Sequence, residues 1–150
     1  MDIAVEVASV EVVPDLVALA RAARVELRAF RGSDLFVNRE SLAEPLHDSF
    51  GDLLGSASSR LLVGTVDGTP VAYAVVTADR GIAVLREIVV DPAARAVGIG
   101  EALLDAAMAW GREQGCTGID SFALPGARDT KNFFETAGMK ARLLVVHAPL

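Results

Sequence analysis

The chain is poor in the residues that most often hold metals or build nucleophilic pairs: one cysteine, Cys116, and two histidines, His47 and His147. A lone thiol makes neither an internal disulfide nor a cysteine cluster, and neither histidine is near it in sequence, so Cys116 reads as a buried structural thiol. The Asp and Glu residues show no spacing that suggests a metal site, and none is expected. No apolar run approaches the roughly 20 residues that span a bilayer. Asp2 and Glu6, with no basic flank, do not form a secretory leader, so a cytoplasmic protein is expected, with no membrane partner. An excess of basic charge is missing too. The net charge is −6 and the Lys and Arg residues are scattered, without the electrostatic footprint of a nucleic-acid binder. The acidity serves solubility or, in a sharper reading, draws in a cationic amine.

What is present suits one domain over residues 1–150: 52% of the residues are apolar, enough for a real core. Ile3, Val5 and Val7 alternate as a first strand with one buried face. Pro14 and Asp15 open a helix carried by Leu16, Leu19, Ala20, Ala23, Leu27 and Phe30. Arg31 to Asn38, broken at Gly32-Ser33-Asp34, reads as a loop. Ser41 and Glu44 form a capping box for a second helix with Leu42, Leu46, Phe50, Leu53 and Leu54 on its apolar face, although Pro45 allows a start at Glu44 instead. His47 on this helix is a surface or capping residue, with general base as the alternative. Leu61 to Val66, Val71 to Thr77 and Ile82 to Val90 form an antiparallel meander, turned at Asp67-Gly68-Thr69-Pro70 and at Asp79-Arg80-Gly81. Tyr73 within it packs the sheet or belongs to a site. A helix then buries Ile99, Leu103, Ala106, Ala107 and Trp110 and ends at Gly115. Thr117 to Leu124 returns as a strand parallel to the one before that helix. A short helix from Asp129 to Ala137 and a last strand from Met139 to Val146 complete the order.

The most informative stretch joins Ile88-Val89-Val90 through Asp91-Pro92 to Arg95-Ala96-Val97-Gly98-Ile99-Gly100: a strand, a glycine-bearing turn and a helix start. A helix start leaves about four N–H groups unpaired and carries roughly half a positive charge, so an anion is stabilised there. Gly98 and Gly100 carry nothing that would hold a phosphate away, and the planar fork of Arg95 matches phosphate oxygens. An ordinary strand-to-helix turn stays open on this pattern alone. The dinucleotide fingerprint fails, because Leu103 stands where its third glycine belongs, and no loop ending Gly-Lys-Ser/Thr occurs.

These residues resemble the GNAT superfamily of acyl-coenzyme-A-dependent N-acetyltransferases. Val90-Asp91-Pro92 and Arg95 to Gly100 match its Arg/Gln-x-x-Gly-x-Gly/Ala signature and the strand end before it. Phe133-Phe134-Glu135-Thr136-Ala137-Gly138-Met139 matches a second family block. The resemblance is close over roughly the last two-thirds of the chain and rests on element order before Leu61. It implies an α/β (α+β) fold whose mixed, mostly antiparallel central sheet has about six to seven strands, a parallel, splayed central pair and flanking helices. It also implies acetyl-coenzyme A as co-substrate and no metal. Its arm would lie against the backbone of Ile88, Val89 and Val90, and its diphosphate on Arg95, Ala96, Val97, Gly98, Ile99 and Gly100. The Val90 N–H would be the partner of the thioester carbonyl oxygen.

Two departures stand out. Where many relatives place a base, this chain has Arg86 and Val84. Glu87 is the only carboxylate on that strand and is the catalytic candidate, acting through water, with a surface charge pair as the alternative; simple alternation puts it on the opposite face from both unless a bulge reorients it. Phe134, at the coenzyme, replaces a tyrosine that protonates the leaving thiolate in many relatives. The resemblance implies direct attack by a primary amine, on a small molecule or a protein, without a covalent enzyme intermediate. A domain that binds acyl-coenzyme A without turnover is the alternative. Homodimers are common in the superfamily, and Leu143 to Val146 would offer an edge for one.

Overall fold

The computed structural model describes residues 1–150. Five strands run β1 (Ile3–Val7), β2 (Ser59–Val66), β3 (Thr69–Asp79), β4 (Ile82–Val90) and β5 (Gly118–Asp120), and they lie in that order across one mixed sheet. The first four are antiparallel neighbours, and β5 joins β4 in parallel. Both hairpin turns have two successive residues at positive φ, Asp67-Gly68 and Arg80-Gly81, the backbone twist that matches tight antiparallel hairpins.

Helices cover both faces. On one lie α1 (Val13–Leu27) and α3 (Leu46–Leu54), where Leu16, Ala20, Leu46 and Phe50 pack on Leu61, Val63, Tyr73 and Val75. On the other lie α4 (Ile99–Glu113) and α5 (Arg128–Thr136), where Ile99, Leu103, Ala107, Trp110 and Phe134 pack on Leu62, Ala74, Val76 and Leu85. The wet stripe of α4, Glu101, Asp105, Arg112 and Glu113, is exposed as its periodicity predicts. The helix lies very close to the sheet: a Cβ on Gly64 of β2 would meet Ile99 Cγ1 at 2.8 Å. No helix is long and apolar enough to cross a membrane.

Three expectations change. The sheet has five strands rather than six or seven, because Met139 to Val146 is unpaired and Thr117 to Leu124 contributes only Gly118–Asp120. At Ser121 the side-chain hydroxyl, instead of a backbone N–H, donates to Leu85 C=O (3.0 Å), and the β4 to β5 ladder does not continue past that point. With no strand beyond β5, the parallel pair forms one border of the sheet. The supposed loop from Arg31 to Asn38 is largely helix, α2 (Ser33–Arg39), because Gly32 in the left-handed region serves as its N-cap and does not interrupt it. The Ser41/Glu44 capping box does not form. Pro45 is extended (φ −75°, ψ 134°), so α3 begins after it, and Glu44 Oε2 accepts from the Leu46 N–H at 3.2 Å instead.

Candidate active site

The site grows from the unfinished edge of β4. The parallel ladder joins Ile82, Ala83 and Val84 to Gly118, Ile119 and Asp120 and then stops. On the other side, Asp91 N–H donates to Val71 C=O at 2.8 Å. Residues in an antiparallel pair alternate in the direction of their backbone groups. Ile88 and Val90, opposite Ala74 and Ala72, therefore turn N–H and C=O away from β3 and into the gap beyond Val84, while Val89 bonds back to β3. An extended ligand arm in that gap meets a strand edge with donors and acceptors ready.

The gap leads into the turn. Asp91 Oδ1 accepts from Ala93 N–H (2.9 Å) and sets a single 3-10 turn, Pro92–Ala94. Ala96 and Gly98 then take positive φ, 69° and 91°, and the chain enters α4 with Gly98 as an N-cap that offers no side-chain acceptor. The first amides of α4 thus lack the side-chain partner that usually satisfies them. Gly98 is exposed, and a Cβ on it would have nothing nearer than Glu101 Oε2 at 3.9 Å. Ile99 is buried against Gly64, and Val97 packs on the edge of the α4 core, so these two anchor the turn. Gly100 has a second reason to be glycine: a Cβ there would lie 3.2 Å from Phe133 Cε1. Phe133, rather than Phe134, touches the helix start. Phe134 is 7% exposed, inside the apolar cluster and edge-on to Phe133 at 5.3 Å. The residues present suit a diphosphate continued by an extended arm: a capless helix start, bare glycine, Arg95, and an open strand edge in line with them.

Glu87 is reoriented by a bulge. Val75 pairs with Glu87 but Val76 with Leu85, so Arg86 is the extra residue, and alternation flips there. Leu85 and Ile88 face α4, while Glu87 and Val89 face α1. There Glu87 Oε1 accepts from the Tyr73 hydroxyl (2.6 Å), Oε2 accepts from Leu42 N–H (2.8 Å), and Arg24 Nη2 lies 3.9 Å from Oε2. The carboxylate is 7% exposed. Burial, reinforced by the Glu87 charge, pushes the Tyr73 hydroxyl well above the usual tyrosine range, so it stays a donor. Arg24 also donates to Leu42 C=O (2.6 Å), which fixes the segment between α2 and α3 over the sheet. His47 is exposed on α3 and outside this group.

Between α1 and the end of β4 lies a cleft of about 340 Å³, lined by residues that include Asp15, Leu19, Glu26, Val89, Val90 and Arg95. Glu26 of α1 pairs with Arg95 across it, Oε2 to Nη2 2.8 Å. Sequence reading missed Glu26, Arg24 and the Leu42 amide, for they lie far from the signature along the chain and no local pattern marks them. Tyr73 was legible only as one of two options.

The family model for the acetyltransferase (GNAT) family matches residues 24–139. The chain belongs to the GNAT family. Solved structures agree in fold. A tetramutant of the BH1408 protein from Bacillus halodurans superposes with a TM-score of 0.80 at 19% identity, over 98% of this chain and 99% of that one. The ribosomal-protein-alanine N-acetyltransferase from Brucella melitensis biovar Abortus 2308 gives 0.72 at 15% identity, over 99% of each chain. Aminoglycoside N-acetyltransferase AAC(6')-Iy in complex with CoA gives 0.76 at 16% identity, over 99% of this chain and 95% of that one. No curated protein gives a significant sequence match. The Glu87 cluster and the Glu26 pair are read from this GNAT chain alone.

Proposed function

We propose that this protein transfers an acetyl group from acetyl-coenzyme A to a primary amine, by direct attack and without a covalent enzyme intermediate. The observation that carries this reading is the open edge of β4 between Leu85 and Val90, running straight into the capless start of α4. The coenzyme supplies the acetyl group as a thioester. Arg95 and the backbone from Ala96 through Val97, Gly98 and Ile99 to Gly100 hold its diphosphate, and the backbone of Ile88 and Val90 holds its arm, whereas Val89, bonded to β3, has no backbone group free for it. The Val90 N–H donates to the thioester carbonyl oxygen as negative charge gathers there; a donor so placed is worth about 100- to 1,000-fold in rate. Glu87 takes the amine proton through water, since its carboxylate is too enclosed for direct contact. Phe134, buried in the apolar cluster beside Phe133, has no proton to give, and a thiol pKa of about 8.5 lets the sulfur leave without one.

The acceptor is an amine on a small molecule or a protein, met in the cytoplasm, and two copies of the chain associate through Leu143 to Val146. A second reading, a domain that binds acyl-coenzyme A without turnover, is favoured by the missing hydroxyl at Phe134 and by the hydrogen bonds already occupying both Glu87 oxygens. Thiol release on a panel of amines, set beside coenzyme binding by calorimetry, separates the two. Release with some amine supports the transferase, and binding without release supports the second reading. Absence of binding, with Gly98→Glu making no difference, removes both.

A further inference from the structure

Arg95 already has an anion. Its Nη2 lies 2.8 Å from Glu26 Oε2, and the two side chains are 53% and 46% exposed, so the pair is accessible from solvent and exchangeable. Glu26 belongs to α1, on the far side of the cleft from the signature turn, and nothing in the local chemistry of that turn requires it. A second carboxylate stands close by: Glu101 Oε2 is 3.9 Å from the point where a Gly98 Cβ would sit, beside the amides that open α4. Both positive features of the turn, the guanidinium and the helix start, are therefore accompanied by carboxylates of the chain itself.

We propose that Glu26 is a competitor for the coenzyme diphosphate, which must take Arg95 from it on binding. This rests on the reading of the turn as a coenzyme site. The physical consequence is a fixed cost, the broken ion pair, set against every anion that takes Arg95. A small anion gains only the Arg95 contact and the helix start, and it must offset the ion pair it breaks. A ligand that also lays an arm along Ile88 to Val90 has further hydrogen bonds with which to offset that loss. Glu26 thus weakens inorganic phosphate and the coenzyme by the same factor, and the arm's own contacts keep the coenzyme the tighter ligand. Displacement also frees the Glu26 carboxylate into the cleft lined by Asp15 and Asp91, which makes it more negative once the coenzyme is in place.

Glu26→Gln keeps the size of the side chain and removes its charge. An exposed pair of this kind is worth little, so coenzyme A dissociation constants measured by calorimetry at low salt should tighten by about two- to fivefold, with the gain shrinking as salt is raised. In an Arg95→Ala background the same substitution should do nothing, because the contested group is gone. Unchanged or weaker binding in Glu26→Gln overturns the proposal, the latter showing that Glu26 holds Arg95 ready for the phosphate. An equal gain with and without Arg95 also overturns it, as a mere change of net charge. If wild type and Glu26→Gln both fail to bind coenzyme A, the coenzyme reading itself has failed. Binding that is intact but indifferent to Glu26 defeats only the competition.

Discussion

Tyr73 carries its one polar side-chain atom to a position with no solvent exposure and places it on a carboxylate, an arrangement stable only while both partners are present. Tyr73→Phe removes the donor and leaves a nearly enclosed Glu87 with the Leu42 amide and a more distant Arg24. A hydrogen bond to a charged group typically contributes about 1.5–3 kcal/mol, so urea unfolding should report a loss in that range. The sign with pH follows from the raised hydroxyl pKa. Below the ordinary tyrosine value of about 10 both states keep the proton; above it the unfolded chain ionises while the folded one resists. Wild-type stability should therefore fall as pH climbs past about 10, and Tyr73→Phe should lack that part of the fall. Glu87→Gln tests chemistry at the same spot: the proposed base predicts a large fall in kcat with coenzyme A binding kept, and an unaltered rate removes the role. Sequence alternation put Glu87 on the wrong side by one residue, because a bulge is a property of two paired strands and leaves no mark on one. The passage from β4 through a glycine-bearing turn into α4 was readable because turn and helix-start signals are local.

At the scale of elements, the close fit of α4 to β2 joins stability to the site. Gly64→Ala would put a methyl group into the space of Ile99 Cγ1, and Ile99 is the first residue of α4. Overpacking of this sort costs about 1–3 kcal/mol, and here relief requires moving the helix start proposed to hold the coenzyme diphosphate. The expected outcome is a lower urea midpoint together with weaker coenzyme A binding by calorimetry. A stability loss with unchanged affinity would show that the turn is insulated from β2. The meander and α4 were legible because hairpin residues and helical periodicity are strong local signals. Helix α2 was not: Gly32-Ser33-Asp34 has a loop composition, and the Phe36 ring finds its partner on Phe122, at 6.0 Å, only in the folded chain. The length of β5 was equally hidden, since it depends on Ser121 turning its hydroxyl to Leu85.

On the scale of the whole molecule, the largest bare apolar run is at residues 143–146. Leu143, Leu144, Val145 and Val146 are 68%, 86%, 87% and 92% exposed, a run of side chains rich in strand-forming types with no ladder partner. Four apolar residues in a row place apolar groups on both faces of any strand they form, which suits a strand covered on both sides. Arg142 pairs with Asp120, so the run begins beside β5, whose outer edge is free, yet the chain does not lay it there. In the proposed dimer a second copy, offering the same edge and the same run by two-fold symmetry, would supply both the backbone partners and the apolar cover. Light scattering should then give twice the 15.7 kDa of the chain. Leu144→Lys combined with Val146→Lys should return the monomer, and because the contact is apolar the wild-type mass should change little with salt. A monomeric wild type whose Leu143 to Val146 amides resist hydrogen exchange would mean that the run closes on its own β5, and the dimer would be abandoned.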